Sequence, residues 1–180
     1  MGVTIHFEGQ LKSSLFFNEV LQLAEDFAKS NKMDYETFEN EEKTLYRVKD
    51  EQDWDYHGAT KGIKIQPHIN SDPLWLEFDE NFYVQDFCKT QFVDLDIHIK
   101  IIELLRKIEP FFKNLLVTDE GEYWLTNNRE VLDKHINICF KAMEDARKEN
   151  PKLSGPYRVS DGRIVDFLED HLEEKTTANK

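Results

Sequence analysis

Three short stretches of the chain alternate apolar and polar residues: Val3-Thr4-Ile5-His6-Phe7-Glu8, Ile63-Lys64-Ile65-Gln66-Pro67-His68 and Leu74-Trp75-Leu76-Glu77-Phe78-Asp79. Successive side chains of a strand point to opposite faces, so each stretch reads as a strand with one dry face and one wet face. The wet sets are Thr4, His6 and Glu8, then Lys64, Gln66 and His68, then Trp75, Glu77 and Asp79. Asn70-Ser71-Asp72-Pro73 is a strong turn signal and makes a hairpin of the second and third stretches. Opposed residues of an antiparallel pair share a face, so Ile63 and Ile65 must oppose Leu74, Leu76 or Phe78. Two registers satisfy this. One sets Lys64 against Glu77 and Gln66 against Trp75; the other sets Gln66 against Glu77 and His68 against Trp75.

The remaining elements follow from periodicity and punctuation. Ser13 and Ser14 cap an amphipathic helix carrying Phe16, Phe17, Val20, Leu21, Ala24, Phe27 and Ala28, which stops near Ser30-Asn31-Lys32. Residues 35–38 and 44–48 read as strands joined by the polar turn Glu39-Asn40-Glu41-Glu42, and residues 50–60 as a loop bearing Trp54, Tyr56 and His57. Residues 79–93 are irregular and aromatic. Asp94 or Asp96 then caps a helix with Ile97, Ile101, Leu104, Leu105 and Ile108, which Pro110 ends. A short strand over residues 115–118 leads through the turn Asp119-Glu120-Gly121-Glu122 to a third helix. That helix starts around residues 126–128, presents Val131, Leu132, His135, Ile138, Cys139, Ala142, Met143 and Ala146, and runs out at Asn150-Pro151.

This order of elements predicts an α+β fold, with a mixed or antiparallel sheet and helices packed mainly on one face. In outline it resembles a ferredoxin-like layout, a resemblance of fold that carries no function. With 180 residues, 39% apolar and 33% charged, the chain has the size and composition of one globular domain. We assign residues 1–150 to that domain and 151–180 to a C-terminal appendage with a short helix over 164–172 and a loose end.

A formal net charge of -13 sets the chain against nucleic acid and anionic membranes, because phosphate binding needs clustered Lys and Arg. Acids concentrate between residues 34 and 55, where Asp34, Glu36, Glu39, Glu41, Glu42, Asp50, Glu51, Asp53 and Asp55 outnumber Lys43, Arg47 and Lys49. A basic protein partner suits such a surface. Cys88 and Cys139 have no metal-type spacing and are expected to be reduced. The sequence has neither a signal-peptide pattern nor a membrane-length apolar run, which points to the cytoplasm.

No P-loop, dinucleotide glycine pattern, metalloprotease helix, nucleophile elbow or paired Cys motif is present. Catalytic residues are therefore unassigned, and no metal or cofactor is implied. Cys88, among Phe82, Tyr83, Phe87 and Phe92, reads as packing; Asp94, Asp96 and His98 read as a helix start, Asp119, Glu120 and Glu122 as a solvated turn, and His135 as a partly buried histidine. The candidate binding surface is the wet sheet face, His6, Lys64, Gln66, His68, Trp75 and Glu77, with Trp54 and His57 from the loop. An indole on a polar face needs cover, from a partner or from the segments around Trp54 and Trp124. The leading expectation is an interaction protein that recognises another protein through the open polar face and the acidic region. The alternative is a small-ligand or metal-dependent enzyme with a pocket between sheet and aromatic loops. A third reading makes a homo-oligomer through the appendage.

Overall fold

The first alternating stretch becomes the middle strand of a sheet. In the computed structural model, which describes residues 2–49 and 52–169, β1 (Thr4–Leu11) buries Ile5, Phe7 and Leu11 and leaves His6 exposed. The Ser13 hydroxyl accepts from Leu15 N, opening a single 3-10 turn that runs into α1 (Phe17–Ser30), whose buried side is Phe17, Val20, Ala24 and Ala28. β2 (Asp34–Leu45) is one continuous strand, so the expected turn at Glu39-Asn40-Glu41-Glu42 is absent; a register shift between Asn40 and Lys43 takes its place. β3 (Val48–Lys49) and β4 (Gln52–Asp53) form a small arm. β5 (Tyr56–Gln66) begins within the segment expected to be a loop.

β6 (Leu74–Phe78) is followed by β7 (Tyr83–Lys89), a strand in the stretch that looked irregular. The helix α2 (Leu95–Ile108) buries Ile101, Ile102, Leu104, Leu105 and Ile108. Asp94 occupies its N-cap without a side-chain bond and Asp96 pairs with Arg129, so neither carboxylate caps it as expected. Next come β8 (Phe112–Asp119), the short α3 (Tyr123–Thr126) and α4 (Arg129–Glu149), which the Asn128 side chain caps by accepting from Glu130 N. The expected helix over 164–172 is corrected. Its described part forms short strands, β11 (Ile164–Val165) and β12 (Leu168–Glu169), paired with β10 (Tyr157–Arg158) and β9 (Leu153–Ser154); Leu172 and the loose end lie outside the described residues.

Among the described residues two three-stranded sheets result, β2-β5-β6 and β7-β1-β8, and their ladders are all antiparallel. The α+β class holds, while the ferredoxin-like outline is not confirmed. The β6–β7 hairpin joins the sheets: Asp79 N donates to Tyr83 O and Asp72 N to Lys89 O, each at 3.0 Å. Between those ends Trp75 N donates to Asp86 Oδ2 at 3.0 Å, so a carboxylate stands in for a backbone carbonyl. β5 approaches β6 closely only because residue 62 is glycine; a Cβ there would lie 1.8 Å from Leu76 O.

The inner faces of both sheets share one core with α1 and α2, built from residues such as Ile5, Phe7, Val20, Ile63, Leu76, Val84, Ile101 and Leu105. Each such side chain contributes about 1.5–3 kcal/mol by leaving water. Cys88 belongs to this core, and burial pushes its thiol pKa well up; Cys139 packs with Val3, Leu132 and Ile136 where α4 meets the domain. His98 is fully buried. Its Nδ1 is 2.7 Å from Thr90 Oγ1 and its Nε2 3.1 Å from Asp119 Oδ1, which ties α2 to the end of β8. Burial alone would raise the Asp119 carboxyl, but His98 and the N–H groups of Trp124 and Gly121 hold it below the ordinary range.

Candidate functional site: an open sheet face

The hairpin face that carried most of the sequence expectation is filled by its own chain. Lys64 opposes Trp75 and Gly62 opposes Glu77, so the shared face is as expected but the register is neither of the two proposed. The reason is the turn. β5 ends at Gln66, residues 67–73 span to β6, and His68 leaves the sheet, its Nδ1 accepting from Asn70 N at 3.0 Å. Gln66 Nε2 donates into that turn, to His68 O and Ser71 O at 2.7 and 3.0 Å. Trp75 packs edge-on against Phe38 with centroids 5.4 Å apart, and the Lys43 and Lys64 ammoniums sit 5.1 and 4.9 Å from its ring. Glu77 accepts from Lys43 Nζ at 2.7 Å and from Thr60 Oγ1 at 2.7 Å. The cover of Trp75 is therefore intramolecular and comes from Phe38 and Lys43 of β2 and Lys64 of β5, not from the segments around Trp54 or Trp124.

Trp54 serves the arm. The guanidinium carbon of the buried Arg47 lies 5.9, 5.4 and 5.0 Å from the ring centroids of Trp54, Tyr56 and Tyr83. Arg47 Nη1 donates to Asp79 Oδ2 at 2.7 Å and Nη2 to Tyr83 O at 3.2 Å, fastening the arm across the β6–β7 turn. His57 sits opposite Thr44 in the β2–β5 ladder, its Nδ1 2.8 Å from Thr44 Oγ1. It does not join His6.

His6 lies on the other sheet, and there the outer face is open. His6 stands between Phe87 of β7 and Thr118 of β8, and Glu8 between Gln85 and Leu116. Above them runs a groove of about 610 Å³ whose lining includes His6, Glu8, Tyr46, Phe87, Leu116 and Arg163. Tyr46 is 85% exposed and Leu116 53%. One wall is the arm, which Gln85 holds as a strand would: its Oε1 accepts from Val48 N at 3.1 Å and its Nε2 donates to Val48 O at 2.9 Å. Glu8 Oε2 accepts from Tyr83 Oη and Gln85 Nε2, both at 2.6 Å; burial, then this carboxylate, pushes the Tyr83 phenol above its ordinary pKa.

The other wall comes from the C-terminal segment. Arg163 lies 4.1 Å from the Phe87 ring centroid, donates to Pro73 O at 3.3 Å, and bonds Phe87 O and the Asp86 carboxylate. Burial pushes the Asp86 pKa up to about 6, although Arg163 pulls against it. Ile164 N adds a 2.7 Å bond to Asp72 Oδ1, and Lys89 pairs with Asp166 at 2.9 Å. The appendage thus docks on its own chain over the described residues.

The groove offers aromatic and aliphatic surface with a few polar groups: His6, whose Nε2 is 4.0 Å from Glu120 Oε1, the Glu8 carboxylate and the Arg163 guanidinium. Among the described residues no group of three or more His, Cys, Asp or Glu is arranged to hold a metal. The sequence reading missed Tyr46, Gln85, Phe87, Leu116 and Arg163. The available signal was the alternation Tyr83, Gln85, Phe87 against Val84 and Cys88, masked by aromatics on the outer side. No protein-family model, no curated protein and no solved structure matches the chain. No helix among the described residues is long and apolar enough to cross a membrane.

Proposed function

We propose that the chain is an interaction protein that receives another protein in the groove over β7-β1-β8. The observation that carries this reading is the contrast in cover: Phe87, Leu116, Tyr46 and Val48 remain exposed around an unfilled groove, while Trp75 on the adjoining sheet is closed over by the chain's own side chains. Tyr46 and Val48 belong to the acidic region, so the open face and the acid-rich segment meet at one place. With a net charge of -13, the partner is a basic protein. The free, buried Cys88 and Cys139 support a cytoplasmic setting.

A photocrosslinking amino acid at Leu116, compared with one at the exposed Leu125 of α3, tests the reading in extract from the source cells. A single basic protein captured from position 116 alone, and lost with Phe87→Lys, is the expected result. Equal capture from both positions, or capture indifferent to Phe87→Lys, removes it.

One observation favours a second reading, a small ligand in the same groove. Its volume of about 610 Å³ lies within the roughly 300–1,000 Å³ of such sites, and a carboxyl raised to about 6 lines it. Native mass spectrometry separates the two: a bound mass that disappears with Phe87→Ala belongs to this second reading.

A further inference from the structure

The sheet β7-β1-β8 ends at β8, and the ladder determines which of its backbone groups are unused. Glu120 N donates to Thr4 O at 3.1 Å, so Thr4 and Glu120 are a hydrogen-bonded pair, and in an antiparallel ladder such pairs alternate. His6–Thr118 and Glu8–Leu116 are then the bonded pairs. Val117 and Leu115, opposite Phe7 and Gly9, turn their N–H and C=O groups away from β1. The other side of β1 agrees: Thr90 N donates to Val3 O and Leu11 N to Phe82 O, so odd-numbered residues of β1 serve β7 and even-numbered ones β8. Among the described residues no strand pairs with the outer side of β8.

Exposed edges are ordinarily blunted by charge, proline or a bulge. β2, the edge of the other sheet, has such guards: Glu36, Glu39, Glu41 and Glu42 along its length, and a register shift near its middle. β8 has fewer. Its lysine, Lys113, lies near its start and donates to Gln10 Oε1 at 2.8 Å, and its one register shift falls before Leu115; Asn114, Leu115, Leu116, Val117 and Thr118 carry no charge.

We propose that β8 is a strand-addition site, where an extended segment of a basic partner pairs with Leu115 and Val117 and so extends the sheet whose face forms the groove. This rests on the groove reading and supplies its backbone half: main-chain bonds give affinity, and alternate side chains beside Leu116 give specificity. The chemistry of the segment follows from its surroundings. Leu116 is exposed and calls for an apolar neighbour on the same face, while the partly exposed Glu120 and Glu122 at the end of β8 call for lysine or arginine. A second copy would bring a net charge of -13 against another -13, which disfavours self-pairing. Antiparallel addition puts the N-terminal end of the incoming strand beside Glu120, so its basic residues come first.

The test uses the full chain and a synthetic heptapeptide, Lys-Lys-Val-Thr-Val-Thr-Val, followed by amide hydrogen exchange. In the free chain the Leu115 and Val117 amides exchange at least 10-fold faster than those of Leu116 and Thr118 on the same strand; saturating peptide slows the first two by at least 10-fold. Val117→Pro removes a free-edge N–H and takes nothing from the β1–β8 ladder, so it weakens peptide binding at least 10-fold and leaves protection at Leu116 and Thr118 in place. Peptide binding unchanged by Val117→Pro overturns the proposal, even where the Leu116 crosslink has succeeded. Protection of Leu115 and Val117 that rises with protein concentration in the absence of peptide assigns the edge to a second copy, and overturns it too. Peptide protection with no crosslink at Leu116 removes the groove reading and supports the edge.

Discussion

The outer faces of the two sheets have similar residue types and opposite states. On β2-β5-β6 an indole, two lysines and a glutamate satisfy one another: Lys43 bonds Glu77 and lies over Trp75, and Lys64 covers the same ring. On β7-β1-β8 Arg163 lies over Phe87 yet leaves that ring 40% exposed, and Tyr46 and Leu116 are open. The difference lies in what flanks each face: Lys43 of β2 reaches across to Glu77 and Trp75, whereas the arm that follows β2 meets the other sheet at Gln85, through Val48. An alternating pattern identifies a wet face; whether that face stays wet depends on what the neighbouring segment does.

That contrast can be broken in order of size. Arg47→Met leaves Asp79 buried without its counter-charge and unfastens the arm, an expected loss of about 3–5 kcal/mol in urea unfolding. A loss under about 1 kcal/mol would mean that the arm is not held as described. Asp86 gives a pH signature. Its folded pKa of about 6 is above the ordinary carboxyl value, so its contribution to stability is present in acid and is lost as pH rises through about 6. The stability difference between the native chain and Asp86→Asn should therefore fall by up to ~3 kcal/mol between about pH 4 and 7. A flat difference would place Asp86 in water. Glu77→Gln keeps the shape and removes the charge that Lys43 and Thr60 address, at a cost of about 1–3 kcal/mol by the same measurement. Leu116→Lys, on the open face, should change stability by no more than about 0.5 kcal/mol. A larger penalty would show that this face, too, is packed.

The parts of the fold legible in the sequence are those where one face is dry and the other wet. The face-sharing rule for Ile63, Ile65, Leu74 and Leu76 holds because a one-residue slip would expose all of them. The rule does not measure a turn, and residues 67–73 were longer than Asn70-Ser71-Asp72-Pro73 suggested, which moved His68 off the sheet. In the sequence β2 reads as two strands and a turn because much of it is exposed on both faces, so Glu39-Asn40-Glu41-Glu42 has no alternation to show. β7 hid because Tyr83 and Phe87 are apolar on its outer side. Arg47 with Asp79 and Arg163 with Asp86 join residues 32 and 77 positions apart, and no local pattern signals such pairs. Of the expected surface, His6 lies on the open face, Lys64, Trp75 and Glu77 lie under mutual cover, Gln66 and His68 serve the turn, Trp54 the arm, and His57 the β2–β5 ladder.

The central place of β1 bears on how the molecule is made. Its last ladder partner arrives late: Thr4 meets Glu120, 116 positions further along the chain. At the roughly 5–20 residues per second of synthesis, β1 waits about 6–23 seconds for β8 to exist. Until then Ile5 and Phe7 belong to an apolar strand with one side unclaimed. A nascent chain halted before residue 112 holds α1 and the β5–β6 hairpin but no completed second sheet, and it is the form most in need of a chaperone.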